Sequence, residues 1–283
     1  MKLRKVTAAS AAVLSLALAA TACGSGKKKD DAAGGGSEAG GKITIGIKID
    51  QPGIGLKTPD GSYTGFDVDV ATYVAKELGY KESDIVFKET KSADRETAIE
   101  RGDVKFIAAS YSINDERLQK VDFAGPYLLA HQDILVRADD DSIKDPKDLN
   151  GKKLCSVTGS TSAKNVKEKL APKAQLQEYG GYSECLTGLE NKVIDALTTD
   201  DSILAGYAAQ EAFKGKFKLA GFRMSNENYG IGLKKGDADL KKKINAALEK
   251  MVKDGSWDKA VEANFGPAGY KNEPAPKIGN IVK

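Results

Sequence analysis

The 283-residue sequence has few of the residues that most often carry catalysis. It contains one histidine, His131, and only 7% of its residues are aromatic. A single histidine excludes a three-histidine zinc site and allows at most one histidine general base. The sequence therefore predicts neither a metal site nor a cofactor, and it disfavours an enzyme.

An excess of charge of one sign is also absent. The 43 basic and 40 acidic side chains leave a formal charge of +3. Lys2, Arg4 and Lys5 lie in an acid-free segment of 22 residues, and its removal leaves 40 side chains of each sign. A neutral surface carries no electrostatic footprint for nucleic acid, so no nucleic-acid partner is expected. The 41% of hydrophobic residues is typical of folded domains, and the length suits two of them.

The sequence lacks an apolar run long enough to span a membrane. Val6–Ala20 has roughly 15 residues, whereas a spanning helix needs about 20. It follows the basic segment Met1–Lys5, so residues 1–22 are predicted to be a signal peptide. The small residues before Cys23 resemble the lipobox of bacterial lipoproteins. We expect Cys23 to be acylated on the extracellular face of the cytoplasmic membrane, with a flexible tether over 23–41; secretion without an anchor is the alternative.

Two cysteines, Cys155 and Cys185, follow the tether. An even number in an oxidising compartment predicts one disulfide, whose loop of about 30 residues contributes roughly 3–4 kcal/mol on the chain-entropy model. Zinc binding is disfavoured because the spacing is not that of a metal site and no histidine lies near. A nucleophilic pair of Cys155 with His131 is disfavoured because no neighbouring residue would activate the thiolate.

From residue 42 onward, short apolar segments alternate with segments of helical periodicity. This alternation predicts βαβ units with parallel strands, and hence an α/β protein. Expected strands cover residues 43–49, 85–87, 106–109, 134–136, 154–157, 194–197 and 229–233. Expected helices cover residues 70–78, 93–101, 240–251 and 257–265, with Gly79, Gly102 and Gly255 as stops and Asp237 as an N-cap.

Polar residues follow the ends of expected strands in four places. These are Lys48–Asp50, Ser110–Arg117, Thr158–Ser162 and Thr198–Asp201. Each alone could be a helix cap, which is the commonest role of Ser, Thr and Asp there. In α/β sheets, however, ligands bind at the carboxyl ends of the strands. The lysine, arginine, aspartate and hydroxyls together indicate a small zwitterion with an additional acid group.

Several further segments occur in an order and at a spacing that are characteristic of one known family. They are Gly65–Val70, Ser110–Arg117, Val121–Tyr127, Asp148–Lys153, Thr158–Ser162, Asp200–Gly206, Tyr229–Ile231 and Asp254–Ser256. With them the chain resembles the polar amino-acid-binding proteins of ABC importers, from Ile43 to about Gly266, and within these the glutamate/aspartate-binding branch. The resemblance implies a two-lobe α/β fold of the periplasmic-binding-protein type II with two hinge crossovers. The implied divisions are 42–131 plus 226–270 for lobe one, 132–225 for lobe two and 271–283 for a C-terminal tail.

The resemblance also implies the residues that hold the ligand's α-carboxylate. Arg117 would grip it through its planar, bidentate guanidinium, assisted by Ser112 and the backbone at Ser110. Ser160 and Thr161, at a helix N-terminus, would add hydroxyl and N–H donors. The structural alternative for Arg117 is a surface salt bridge.

Asp200 is implied as the partner of the ligand's α-ammonium, with a plain N-cap as its structural alternative. Tyr182 and Gln132 match positions that contact the ligand side chain in the acidic branch. Asp67 and Asp69 are expected to cap the first helix instead of binding ligand.

Lys48 is the residue on which the predicted ligand depends. The resemblance places an acid there in glutamine-specific relatives and a base in the glutamate/aspartate branch. A buried lysine opposite a second carboxylate would repel a cationic ligand and disfavour a neutral amide. Glutamate is therefore predicted, with aspartate second; a lysine that points to solvent is the alternative.

The predicted function is an extracytoplasmic lipoprotein that captures an acidic amino acid and delivers it, as a monomer, to an ABC permease and its ATPase by cleft closure. A binder of glutamine or another polar amino acid is the nearest alternative. An enzyme resembling cyclohexadienyl dehydratase would share the fold, but the expected pocket is too charged for an apolar ring. A signalling or adhesive lipoprotein without an importer stays open.

Overall fold

The computed structural model describes residues 41–282. The predicted signal peptide, Cys23 and the tether as far as residue 40 lie outside the described residues. Within residues 41–282, no helix is long and apolar enough to cross a membrane. In the same range, no group of three His, Cys, Asp or Glu side chains is placed to hold a metal ion.

The first expected strand forms because Ile43, Ile45 and Ile47 alternate and bury their side chains against the core. In chain order the strands are β1 (Ile43–Ile47), β2 (Asp50–Gln51), β3 (Gly55–Lys57), β4 (Tyr63–Thr64), β5 (Ile85–Glu89), β6 (Phe106–Ile107), β7 (Val121–Arg137), β8 (Lys153–Val157), β9 (Gln175–Tyr179), β10 (Ala196–Asp200), β11 (Phe217–Leu219) and β12 (Asn226–Lys234).

The α-helices are α1 (Phe66–Glu77), α2 (Arg95–Glu100), α3 (Asp115–Lys120), α4 (Thr161–Asn165), α5 (Tyr182–Glu190), α6 (Asp201–Ala208), α7 (Ala238–Lys253) and α8 (Ser256–Phe265). The expected cap of α7 is confirmed, because the Asp237 side chain accepts from the Leu240 N–H at 3.1 Å. The expected stop is confirmed as well: Gly255 follows α7 with φ 78°, a left-handed conformation that favours glycine.

The prediction that Asp67 and Asp69 cap α1 is wrong. Gly65 holds the N-cap position, and no side chain caps this helix. Asp67 is buried and accepts from the Ser110 N–H and the Tyr127 hydroxyl, both at 2.6 Å. Asp69 accepts from an asparagine of α8. Both aspartates lie in the first turn of α1, but their carboxylate oxygens accept hydrogen bonds from residues outside this helix.

The main sheet has nine strands, in the order β5-β1-β6-β12-β7-β10-β8-β9, and β11 pairs with β7. The predicted parallel units are present on both sides, since β1 pairs in parallel with β5 and β6, and β8 with β9 and β10. At the centre of the sheet, β7 and β12 run antiparallel to their neighbours. The short strand expected at 134–136 is the end of the 17-residue β7. The sequence did not indicate the rest of β7, because its buried residues do not alternate with exposed ones.

Strands β7 and β12 are the two crossovers, which confirms the predicted two-lobe fold. Strand β7 pairs with β12 as far as His131 and with β10 from Gln132 onward. We name the half with β1, β5 and β6 the first lobe and the half with β8, β9 and β10 the second lobe. The predicted boundary at 131/132 falls where β7 changes partner, and that at 225/226 falls where β12 begins; the division of the chain into lobes stays a prediction.

The predicted disulfide is confirmed. Cys155 on β8 and Cys185 on α5 are bonded, and both are fully buried. Because β8 and α5 both belong to the second lobe, the bond joins a strand to a helix inside one lobe. It therefore leaves the two crossovers without a covalent constraint.

The C-terminal segment lies against the crossovers. Glu273 accepts from Arg223 and contacts His131 Nε2 at 3.3 Å. Val282 and Asn228 exchange two hydrogen bonds, between backbone and side-chain amide groups, at 2.8 and 3.0 Å. The segment thus contacts the region where the chain passes from one lobe to the other.

Candidate functional site

Polar segments of both lobes meet at one small cavity. Its volume is about 10 Å³, roughly the room that one water needs, so the lobes almost touch here. Six predicted ligand-binding residues line it: Ser110, Arg117, Ser160, Thr161, Tyr182 and Asp200. Four residues that were not predicted complete the wall: Ser92, Arg95, Ser162 and Ile203.

Arg117 begins in the first lobe and reaches across the cleft. Its backbone N–H donates to the Asn114 side chain, which caps α3. Nη1 donates to the Ser112 carbonyl at 2.7 Å, and Nη2 donates to the Gly159 carbonyl of the second lobe at 3.1 Å. Nε lies 3.6 Å from Glu96. The side chain is only 8% exposed, so the alternative of a surface salt bridge is wrong.

Arg95 is a second buried arginine in the wall. Nη1 donates to the carbonyls of Ala109 and Ser110 at 3.0 and 3.2 Å, and the guanidinium stacks 4.1 Å from the centre of the Tyr111 ring. Its Nε has no hydrogen-bond partner. Burial and the nearby Arg117 lower the pKa of Arg95 to about 10, which keeps it charged at neutral pH.

A sequence signal for Arg95 existed. Residues 93–101 were expected to be helical, and Arg95 lies three and four positions before Ala98 and Ile99, which are buried. That spacing places an arginine on the inner face of the helix. A charged residue on a buried face needs a partner, and this marks it as a candidate for binding.

Lys48 is buried, so the alternative of a solvent-facing lysine is wrong. Its Nζ donates to Ser92 Oγ at 2.8 Å, and it is Ser92 that lines the cavity. Burial and the charge of Arg95 lower the pKa of Lys48 to about 7. Lys48 thus lies behind the wall that Ser92 and Arg95 form.

Asp200 lies at the N-cap position of α6, but its side chain caps nothing. Tyr229 donates its hydroxyl to Asp200 Oδ2 at 2.5 Å, and Ser162 donates to Oδ1 at 3.4 Å. Burial, and the neighbouring carboxylate of Glu227, hold the pKa of Asp200 well above its usual range. The alternative of an ordinary cap is therefore wrong, and Asp200 is a buried acid without a cationic side chain bonded to it.

Glu227 on β12 was not predicted as a site residue. It is buried behind the wall and accepts from Thr161 Oγ1 at 2.9 Å and from Ser225 Oγ at 2.6 Å. Thr161 therefore connects the cavity wall to a crossover strand. Ser160 is a helix cap, which was the structural alternative for its segment: its hydroxyl caps α4 by accepting from the Ala163 N–H at 3.1 Å.

Besides Lys48, two predicted residues do not line the cavity. Gln132 is fully buried on β7, where its amide donates to the Ser162 carbonyl and Thr198 Oγ1 and accepts from Asn165. These partners use both ends of the amide, so a direct side-chain contact between Gln132 and ligand does not fit this structure. Ser112 does not line the cavity either; its carbonyl fixes Arg117.

The cavity wall has a simple charge pattern. The first lobe supplies two guanidinium groups, from Arg95 and Arg117, and the second lobe supplies the carboxylate of Asp200 and several hydroxyls. Guanidinium groups bind carboxylates, and a buried carboxylate binds an ammonium group. The arrangement is complementary to a small molecule with two acid groups and one ammonium group.

Residues 43–267 match the bacterial extracellular solute-binding proteins, family 3. The glutamate-binding protein GluB of Corynebacterium efficiens is 47% identical over 273 residues, which cover 93% of this chain and 91% of that protein. GluB of Corynebacterium glutamicum is 49% identical over 236 residues, which cover 80% of this chain and 79% of that protein.

Among solved structures, an ancestral arginine-binding protein bound to glutamine matches with a TM-score of 0.75 and 37% identity. The match covers 81% of this chain and 100% of that chain. Fold, sequence and site geometry agree. The chain belongs to the bacterial extracellular solute-binding proteins of family 3, and it is a binding protein rather than an enzyme.

Proposed function

We propose that this protein captures an acidic amino acid, glutamate before aspartate, and delivers it to an ABC importer. The observation that carries the proposal is the pairing of two buried arginines, Arg95 and Arg117, with one buried aspartate, Asp200, around a single cavity. Glutamate has two carboxylates and one ammonium group, so every ligand charge obtains an opposite partner. The names of both GluB relatives support this assignment.

In this proposal Arg117 binds the α-carboxylate, with donors from Ser160 and Thr161 at the start of α4. Asp200 binds the α-ammonium group. Arg95 binds the distal carboxylate through its partnerless Nε. Lys48 lies behind the wall, where it orients Ser92 and adds positive charge. In this proposal Arg95, and not Lys48 as expected from the sequence, makes the direct contact with the distal carboxylate.

Cleft closure follows from the division of these partners between lobes. The cavity has room for about one water, and an amino acid is several times larger than a water, so the lobes separate to admit it. Only the closed arrangement brings Asp200 to a ligand that Arg95 and Arg117 hold, and the ligand therefore shifts the equilibrium toward closure. The closed form is what the importer's permease would recognise.

Glutamine is the alternative ligand, favoured by the glutamine bound to the structurally similar ancestral protein. A neutral amide would leave one buried guanidinium without an anion, and uncompensated buried charge is costly. This penalty is why we place glutamate first. Aspartate retains both charges but is one methylene shorter, so we place it second.

The anchor and the assembly are part of the same proposal. We propose that Cys23 is diacylated and holds the protein, as a monomer, at the outer face of the cytoplasmic membrane. Cys23→Ala should release the protein into the medium. Retention of that variant in the membrane fraction would argue against the lipobox.

Calorimetric titration with each of the twenty amino acids tests the ligand. We expect glutamate to bind with micromolar or tighter affinity, about −8 kcal/mol, aspartate more weakly and glutamine more weakly still. Tighter binding of glutamine or arginine than of glutamate would overturn the assignment. Consumption of any ligand over time would point to catalysis.

A further inference from the structure

The lobes also meet at a second place, beside the ligand cavity. Asp50, which follows β1 of the first lobe, accepts from the Tyr182 N–H through Oδ2 at 3.0 Å. The hydroxyl of Tyr207 donates to the Asp50 backbone carbonyl and lies 3.5 Å from Oδ2. Tyr182 and Tyr207 lie on α5 and α6 of the second lobe. Asp50 thus contacts two helices of the opposite lobe.

The first of these contacts completes a helix. Tyr182 is the first residue of the nine-residue α5, and the N-cap position before it is Gly181, which has no side chain to accept a hydrogen bond. The first N–H groups of a helix have no partner within the helix, and a carboxylate there is favourable. Asp50 supplies the missing cap from the other lobe, so α5 is capped only when the lobes are together.

Two glycines make this approach possible. A Cβ atom at Gly181 would lie 2.5 Å from Asp50 Oδ2, and one at Gly206 would lie 2.0 Å from the Pro52 carbonyl oxygen. Neither glycine has a positive φ, so their own backbone does not require glycine. The close approach of the first lobe does.

We infer that Asp50–Pro52 forms a latch with α5 and α6 that holds the lobes closed without itself lining the ligand cavity. Asp50, Gly181 and Gly206 are all absent from the cavity wall. The latch acts on the closure equilibrium, and through it on affinity, since a ligand that binds only the closed form binds more weakly when that form is rarer. The inference rests on the proposed closure of the cleft around an amino acid.

Gly206→Ala tests the latch, with Gly188→Ala as the matched control. Both glycines lie inside second-lobe helices, but a Cβ atom at Gly188 would have no neighbour nearer than 3.5 Å. Alanine favours a helix interior over glycine, so neither substitution should lower the thermal midpoint. In the full mature protein we expect Gly206→Ala to raise the Kd for glutamate about tenfold or more, and Gly188→Ala to leave it unchanged.

Asp50→Ala removes the cap without adding bulk and should raise the same Kd about three- to tenfold. Small-angle scattering gives an independent readout: with saturating glutamate, Gly206→Ala should keep a larger radius of gyration than wild type and Gly188→Ala. A Kd for Gly206→Ala within twofold of wild type would overturn the latch.

Failure of the proposed ligand is distinguishable from failure of the latch. If wild type binds another amino acid in the panel, the ligand assignment fails and the same Kd comparison is made with that amino acid. If wild type binds none, scattering of the proteins without ligand decides. Equal radii of gyration for wild type and Gly206→Ala would then overturn the latch, and a larger radius for Gly206→Ala would support it.

Discussion

The two lobes contribute opposite chemistry to one cavity. In the first lobe, backbone carbonyls hold the two guanidinium groups: those of residues 109 and 110 accept from Arg95, and that of Ser112 accepts from Arg117. In the second lobe, the polar part of the wall consists of hydroxyls and the carboxylate of Asp200, and Ile203 adds an apolar side chain. Carbonyls fix a cation in place before any ligand arrives, whereas hydroxyls can donate or accept. The first lobe therefore selects for anions, and the second adapts to what the first has bound.

Each lobe carries a buried charge that is unfavourable by itself. Burial lowers the pKa of Arg95 to about 10 and raises the pKa of Asp200 well above its usual range. A ligand with two carboxylates and one ammonium group offsets both. The two lobes are therefore expected to respond differently: substitutions of the first-lobe arginines should affect ligand binding, and removal of the second-lobe disulfide, which lies away from the cavity, should affect stability alone.

The largest effect is expected from Arg117→Ala. The variant leaves the ligand's α-carboxylate buried without its counter-charge, which costs up to about 5 kcal/mol of binding free energy. Glutamate and glutamine share this carboxylate, so both should weaken in calorimetric titrations while circular dichroism stays unchanged. If only glutamate binding weakened, Arg117 would be assigned to the distal carboxylate and Arg95 to the α-carboxylate.

Removal of the disulfide should separate stability from binding. Replacing Cys155 and Cys185 by alanine should lower the free energy of unfolding in urea by roughly 3–4 kcal/mol, because the unfolded chain regains the entropy of an open loop. Both cysteines are buried away from the cavity, so glutamate affinity should change by less than about twofold. Reduced wild type is the control and should show the same loss. A tenfold loss of affinity would contradict the separation.

Arg95→Met should change ligand choice. It removes the positive charge but keeps an unbranched side chain of similar length. We expect glutamate to lose about 2–3 kcal/mol of binding free energy and glutamine to lose less, because the amide has no charge to compensate. The ratio of the two dissociation constants is the measurement. An unchanged ratio would show that Arg95 does not bind the distal carboxylate.

The smallest effect is expected from Lys48, as a dependence on pH. Its pKa is lowered to about 7 by burial, against an ordinary 10.5. Between these values the unfolded chain binds a proton that the folded protein does not, so stability from this site rises with pH. Relative to Lys48→Met, wild type should gain roughly 2 kcal/mol of unfolding free energy from pH 7 to pH 9. A constant difference over that range would show that Lys48 keeps its ordinary pKa.

The fold was largely predictable from sequence, because alternating isoleucines, helix caps and glycine stops report local structure. Strand β7 was not, since its 17 residues are buried on both faces and contain Gly125 and Pro126, which usually indicate a turn. The site was predictable where polar residues follow strands, as at Arg117 and Asp200. Arg95 was missed because it comes from a helix face, and its role depends on which face the tertiary fold buries.

The order of strands in the sheet has a consequence for export. The second lobe's strands β8, β9 and β10 and its disulfide all precede residue 201, so they can pair and oxidise as soon as that stretch emerges. The first lobe receives its central strand, between β6 and β7, only when residues 226–234 arrive. Chains that emerge from their N-terminus fold as each unit becomes complete. The lobe that enters the extracellular space first is therefore the one that finishes folding last, and it needs protection from aggregation for longer.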